Sequence, residues 1–180
     1  MAVRPIVHYG DPILRKRCKP VRDFQSLEPL LEDMFDSMYE AEGIGLAANQ
    51  IGLDRHCFII DVTHTEEAEE PIVFVNSKLI ESRGDSEYEE GCLSLPGIQL
   101  NINRPEFVTV EYQDESGNKH TGEFGGLLAR AIQHEMDHLN GVMIVDHVSE
   151  IVRLKYQKEL KSFINETRSS SKTFEKGFNF

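Results

Sequence analysis

The stretch Ala131-Ile132-Gln133-His134-Glu135-Met136-Asp137-His138-Leu139 constrains this chain more than any other. It contains the pattern H-E-x-x-H. On a helix, positions i and i+4 project from one face about a turn apart, so His134 and His138 can reach a single metal ion. Glu135, about 100° further round, stays off the metal but close to a water beside it. The pattern reads as metal-assisted hydrolysis with Glu135 as general base. The bland alternative is a polar, solvated helix face, and the rest of the chain decides between the two.

At 180 residues the chain is most simply one domain with a substantial core. No apolar run approaches the length of a membrane span, and Met1-Ala2-Val3-Arg4-Pro5 lacks a signal-peptide core, so the expected location is cytoplasmic and without membrane attachment. Three cysteines, Cys18, Cys57 and Cys92, are an odd number and argue against a disulfide framework. The net charge of -12 is uneven. The first 150 residues carry 12 basic and 28 acidic side chains, whereas the last 30 carry 7 and 3. The acidic body excludes broad nucleic-acid binding, DNA included.

Along the chain, Leu27, Leu30, Leu31, Met34 and Met38 recur at helical spacing after Ser26, a candidate cap, with Gly43 as the expected left-handed stop. Gly43-Ile44-Gly45-Leu46-Ala47-Ala48-Asn49-Gln50 lets another chain approach the backbone closely, and Gln50 reads by default as a structural hydrogen-bonding amide. His56–Val62 and Pro71–Ile80 read as strands around an acidic loop, Glu66–Glu70. Phe107–Gln113 and a partner running to about Phe124 read as a hairpin. Gly125-Gly126 opens the motif helix and Gly141 closes it. A last amphipathic helix is expected over Ile151–Phe163, with Ser149 as cap. The catalytic unit is expected to span 1–165, and residues 166–180, rich in Ser and Thr, to be a loose tail.

A catalytic metal usually keeps three protein ligands and one open position. The longer protease pattern H-E-x-x-H-x-x-G-x-x-H fails at Ile144, three residues short of His147. Three candidates for the third ligand therefore stand: Cys92, Glu159 and His147. The second and third would make the chain a zincin-like metallopeptidase.

Three segments occur in order: Gly43–Gln50, Glu90-Gly91-Cys92-Leu93-Ser94 and Gln133–His138. Together they resemble the signature motifs of peptide deformylases, enzymes that remove the N-formyl group from nascent chains. The resemblance runs from about residue 4 to 165. It implies an α+β fold with antiparallel sheets packed around the central motif helix and a C-terminal helix outside. It implies Cys92, His134 and His138 as ligands of one divalent metal ion, Fe²⁺ in the cell, with Zn²⁺, Ni²⁺ or Co²⁺ also compatible with such a donor set. It further implies Glu135 as proton shuttle, with Gln50 and the Leu93 N–H stabilising the oxyanion. N-formylmethionyl peptides are the implied substrate, lying against Ile44, Gly45 and Gly91. Leu127 and Ala131, on the histidine stripe of the helix, would line an apolar pocket for the first side chain. Gln99 and Arg130 depart from the usual pattern near that pocket. The basic C-terminal helix is a candidate contact with the ribosome.

Overall fold

In the computed structural model, residues 2–177 are described, with side chains as far as Ser169. A five-stranded antiparallel sheet is ordered β1-β2-β3-β6-β7: β1 Gly45–Ala47, β2 Cys57–Ile60, β3 Ile72–Arg83, β6 Phe107–Gln113 and β7 Lys119–Phe124. A separate two-stranded ladder joins β4, Ser86–Glu90, to β5, Leu100–Arg104, with Glu90 opposite Leu100. Among the described residues four α-helices join the sheets, α1 Leu27–Glu40, α2 Gly126–Leu139, α3 Glu150–Leu154 and α4 Gln157–Gly177, along with three short 3-10 turns. The architecture is α+β.

The alternation of side chains along a strand explains why the sheet needs a helix on each face. In β2, Cys57 and Ile59 point to one side and pack with Leu31, Met34 and Met38 of α1. Phe58 and Ile60 point to the other and pack with Leu128, Ala129 and Ile132 of α2. All four are buried, so β2 reads as a continuous apolar run. A third core joins the β4–β5 side of the molecule to the C-terminus. There Leu95, Ile98 and Ile102 meet Met143, Val145 and Leu160, with Phe163 of α4 packed against them. The motif helix therefore sits centrally and α4 outside.

Several local expectations change. Ser26 makes no capping hydrogen bond; its hydroxyl donates instead to the Asp23 carbonyl at 3.2 Å. The left-handed residue after α1 is Glu42, with φ 57°, rather than Gly43. Gly43 is small for another reason: a Cβ there would lie 2.7 Å from Leu93 Cδ1. Gly141 does close α2 as expected, with φ 76°.

The C-terminal helix is broken in two. Ser149 caps the first piece, accepting from the Val152 N–H at 3.3 Å. Arg153 then donates to the Val145 carbonyl and Tyr156 to that of Gln99, tying the turn between the pieces to the core. Where composition predicts a loose tail, α4 continues through Gly177, and the side chains beyond Ser169, including the tail phenylalanines, lie outside the described residues.

Phe74 stacks on Phe58 at 4.7 Å and meets Tyr112 and Phe124 at 4.5 and 5.9 Å between ring centres. Replacing it with alanine removes the hub of this cluster. Phe74→Ala is expected to lower unfolding free energy by about 3–5 kcal/mol, as measured by urea denaturation.

Candidate active site

The α2 helix brings His134 and His138 onto one face with ring centres 5.0 Å apart. Cys92 arrives from the loop that follows β4, folded back by the turn in which the Leu95 N–H bonds the Cys92 carbonyl at 3.0 Å. The three ligand atoms lie within 4.8 Å of one another, and Cys92 Sγ is 3.2 Å from His138 Nε2. Among the described residues this is the group of histidine, cysteine and acidic side chains placed to share an ion. Neither rival third ligand joins it. Glu159 is exposed on α4, and His147 is engaged with Asp137 at 2.7 Å.

The chemistry of the donor set fits a divalent metal. The two imidazoles sit in opposite electrostatic surroundings. Burial opposes charge on His134, but hydrogen bonds to Cys92 and Glu90 raise its pKa well above the ordinary value. Burial and the neighbouring His134 push His138 well below it. A sulfur and two imidazole nitrogens gathered this closely are donors of the kind that a divalent cation takes.

The supporting residues are where sequence reasoning fell short. Glu90 accepts from His134 Nδ1 at 2.9 Å, which fixes that ring by its outer nitrogen. Arg104 grips both oxygens of Glu90, at 2.6 and 3.0 Å, and reaches Asp137 at 2.8 Å. Arg130 adds a further bond to Glu90 at 2.7 Å, together with the carbonyls of Ile102 and Ser86 at 3.0 and 2.7 Å. Burial alone would raise the Glu90 carboxyl, but His134 and Arg104 hold it down at about 2. Glu90 stands two residues before the cysteine in the motif, a position that marks it as a candidate supporting residue. Arg104 carries no local signal. Arg130, which departs from the usual family pattern, is buried and committed to this cluster, though it still borders the groove.

A groove of about 750 Å³ runs over the centre. It is lined by all the residues expected to receive substrate: Ile44, Gly45, Gly91, Leu127 and Ala131. Leu93 and Gln50 line it as well, and so does Gln99, which lies against Gly91. Glu135 is buried, its Oε2 has no hydrogen-bond partner, and burial raises its pKa to about 7, with His134 pulling the other way. A Cβ on Gly45 would lie 2.8 Å from Glu135 Oε1, so glycine is what lets β1 pass so near that carboxylate. Gln50 Oε1 accepts from the Ala47 N–H at 2.9 Å. Its Nε2 donates to Ser94 at 3.1 Å and lies 3.7 Å from Cys92 Sγ. The structural bond predicted for Gln50 exists, and its amide nitrogen faces the centre all the same.

A buried H-E-x-x-H glutamate beside a Cys/His₂ cluster, in an α+β fold with an open groove, defines a metal-dependent hydrolase. The sequence profile of the Polypeptide deformylase family matches residues 3–154. The chain is 43% identical over 161 residues to a peptide deformylase of Chlorobaculum tepidum, covering 88% of this chain and 86% of that protein. It is 42% identical over 171 residues to that of Agrobacterium fabrum, covering 94% and 99%. Crystal structures of the Legionella pneumophila and Thermus thermophilus peptide deformylases superpose with TM-scores of 0.84 and 0.85, at 42% and 41% identity. They cover 93% and 91% of this chain and 98% and 99% of theirs. The chain belongs to the peptide deformylase family.

Glu90→Gln removes the charge that orients His134. It is expected to weaken divalent metal binding by about 10- to 100-fold, read by competition with a chromogenic chelator.

Proposed function

We propose that the protein hydrolyses the formamide of N-formylmethionyl nascent peptides, releasing formate and a free amino terminus. The observation that carries this reading is the buried, half-unpartnered Glu135 carboxylate facing the groove beside Cys92, His134 and His138. Cys92, His134 and His138 would hold one divalent ion, which supplies Lewis acidity toward water and toward the formyl oxygen. Ferrous iron is our assignment from the family likeness, since a thiolate with two imidazoles accommodates zinc, cobalt or nickel as well.

Glu135 accepts a proton from the attacking water and passes it to the departing amine nitrogen, which would otherwise leave as an unstable anion. A carboxyl with a pKa of about 7 suits both halves of that transfer. Gln50 Nε2 and the Leu93 N–H donate to the oxygen that becomes negative as the carbon turns tetrahedral. Ser94 and the Ala47 N–H hold the Gln50 amide from either end, so it needs little reorganisation.

The peptide enters as an added strand. β1 is an edge of the five-stranded sheet, and Gly45 on that edge lines the groove together with Gly91. Ile44, Leu127 and Ala131 supply apolar wall for the methionine side chain. The reaction belongs to the cytoplasm, where nascent chains emerge. Among the described residues no helix is long and apolar enough to cross a membrane. The exposed lysines at 155, 158 and 161 give α3 and α4 a basic surface that we assign to ribosome contact. Co-sedimentation with ribosomes that survives conversion of all three lysines to glutamate would dispose of that contact.

Anaerobically purified protein is expected to turn over formyl-Met-Ala, and no formate release would sink the reading. Glu135→Ala should keep its metal and lose most activity; Cys92→Ser should lose metal. Gln50→Ala is expected to lower kcat by about 10²- to 10³-fold with metal content unchanged.

A further inference from the structure

Composition marks Glu66–Glu70 as a solvated acidic loop, yet one of its carboxylates is engaged. Glu67 accepts the Leu127 N–H through both oxygens, at 3.0 and 3.2 Å. Leu127 is the second residue of α2, and Gly125, which precedes the helix, has no side chain with which to cap it. A helix start leaves N–H groups without partners and favours negative charge, so an acid sixty residues earlier in the chain fills the role of a cap.

The approach depends on glycine. Gly126 has φ 59°, and a Cβ on it would lie only 1.7 Å from Glu67 Oε1. The loop is anchored on its other side too. Asp61 accepts from the backbone N–H and the hydroxyl of Thr63 at 2.9 and 2.6 Å, and from the Tyr39 hydroxyl at 2.5 Å. Ala68, next to Glu67, packs against the core shared by α2 and the sheet. Between these fixed points the loop carries His64, and His64 and Leu127 both line the groove.

We propose that Glu67 is a positioning residue for the substrate's first side chain: by clipping the 61–70 loop to the start of α2, it sets how far His64 stands from Leu127. The inference rests on the deformylase reading for the identity of that side chain. Glu67 touches no reacting atom. Its loss leaves the Cys92, His134, His138 and Glu135 cluster in place and loosens one wall of the groove.

The test compares metal-loaded full-length protein with Glu67→Ala, Glu67→Gln, Gly126→Ala and the Glu67→Ala/Gly126→Ala pair. The substrates are formyl peptides whose first residue is methionine, norleucine or alanine. Glu67→Ala is expected to raise KM for the methionine peptide about fivefold with kcat within about twofold, and to narrow the preference for methionine over alanine. Glu67→Gln, which keeps an acceptor, should recover part of the loss. Gly126→Ala displaces the carboxylate and should reproduce the change in preference, with the pair no worse than Gly126→Ala alone. Amide exchange at Leu127 and across 63–68 should speed up in Glu67→Ala. Unchanged KM and preference in Glu67→Ala would overturn the proposal, as would effects of the two substitutions that simply multiply. Absence of turnover by the unsubstituted protein would strike the deformylase reading itself, whereas an active enzyme indifferent to Glu67 strikes only the clip.

Discussion

The structure turns on one buried carboxylate. Glu90 is 6% exposed and meets His134, Arg104 and Arg130 at once. Two guanidiniums around a single carboxylate leave an excess of positive charge, and Asp137 offsets it from the far side of Arg104. Such a cluster is expensive to desolvate and stable only while every member is present. Its members come from β4, β5 and α2, so its formation registers the small ladder against the motif helix. That register brings Cys92, two residues beyond Glu90, within reach of both histidines.

The large sheet works differently. Its strands are held by apolar packing on both faces, with α1 against one and α2 against the other. Because α2 belongs to this packing as well as to the charge cluster, it is the shared part between two otherwise separate cores. Non-directional burial keeps the helix in place, and directional hydrogen bonds decide its rotation and depth. A metal centre needs both, since sub-ångström errors in ligand position weaken binding.

Legibility in the sequence followed the range of the forces. The helices α1 and α2, strands β2 and β3 and the β6–β7 hairpin could be read because apolar periodicity is a local pattern. The three-residue β1 and the β4–β5 ladder could not. β4 is Ser-Glu-Tyr-Glu-Glu, a polar run whose pairing is dictated by the partner strand and by Arg104 and Arg130 above it. The left-handed turn at Glu42 was misplaced by one residue because glycine can be required for close approach, here to Leu93, as readily as for its dihedral freedom.

The sequence by itself determined the chemistry: H-E-x-x-H at helical spacing supplied two imidazoles and a carboxylate, and the ordered motifs brought in Cys92 and Gln50. Helical periodicity is sufficient for the histidines and Glu135, whereas Cys92 and Gln50 came from the family resemblance of the three motifs taken together. Only the tertiary structure shows which of Cys92, Glu159 and His147 stands beside the two histidines, and only it revealed Arg104 behind Glu90 and Glu67 at the head of α2. Those contacts join residues 14 to 60 positions apart through isolated side-chain hydrogen bonds, and bonds of that kind leave no periodic trace along a chain.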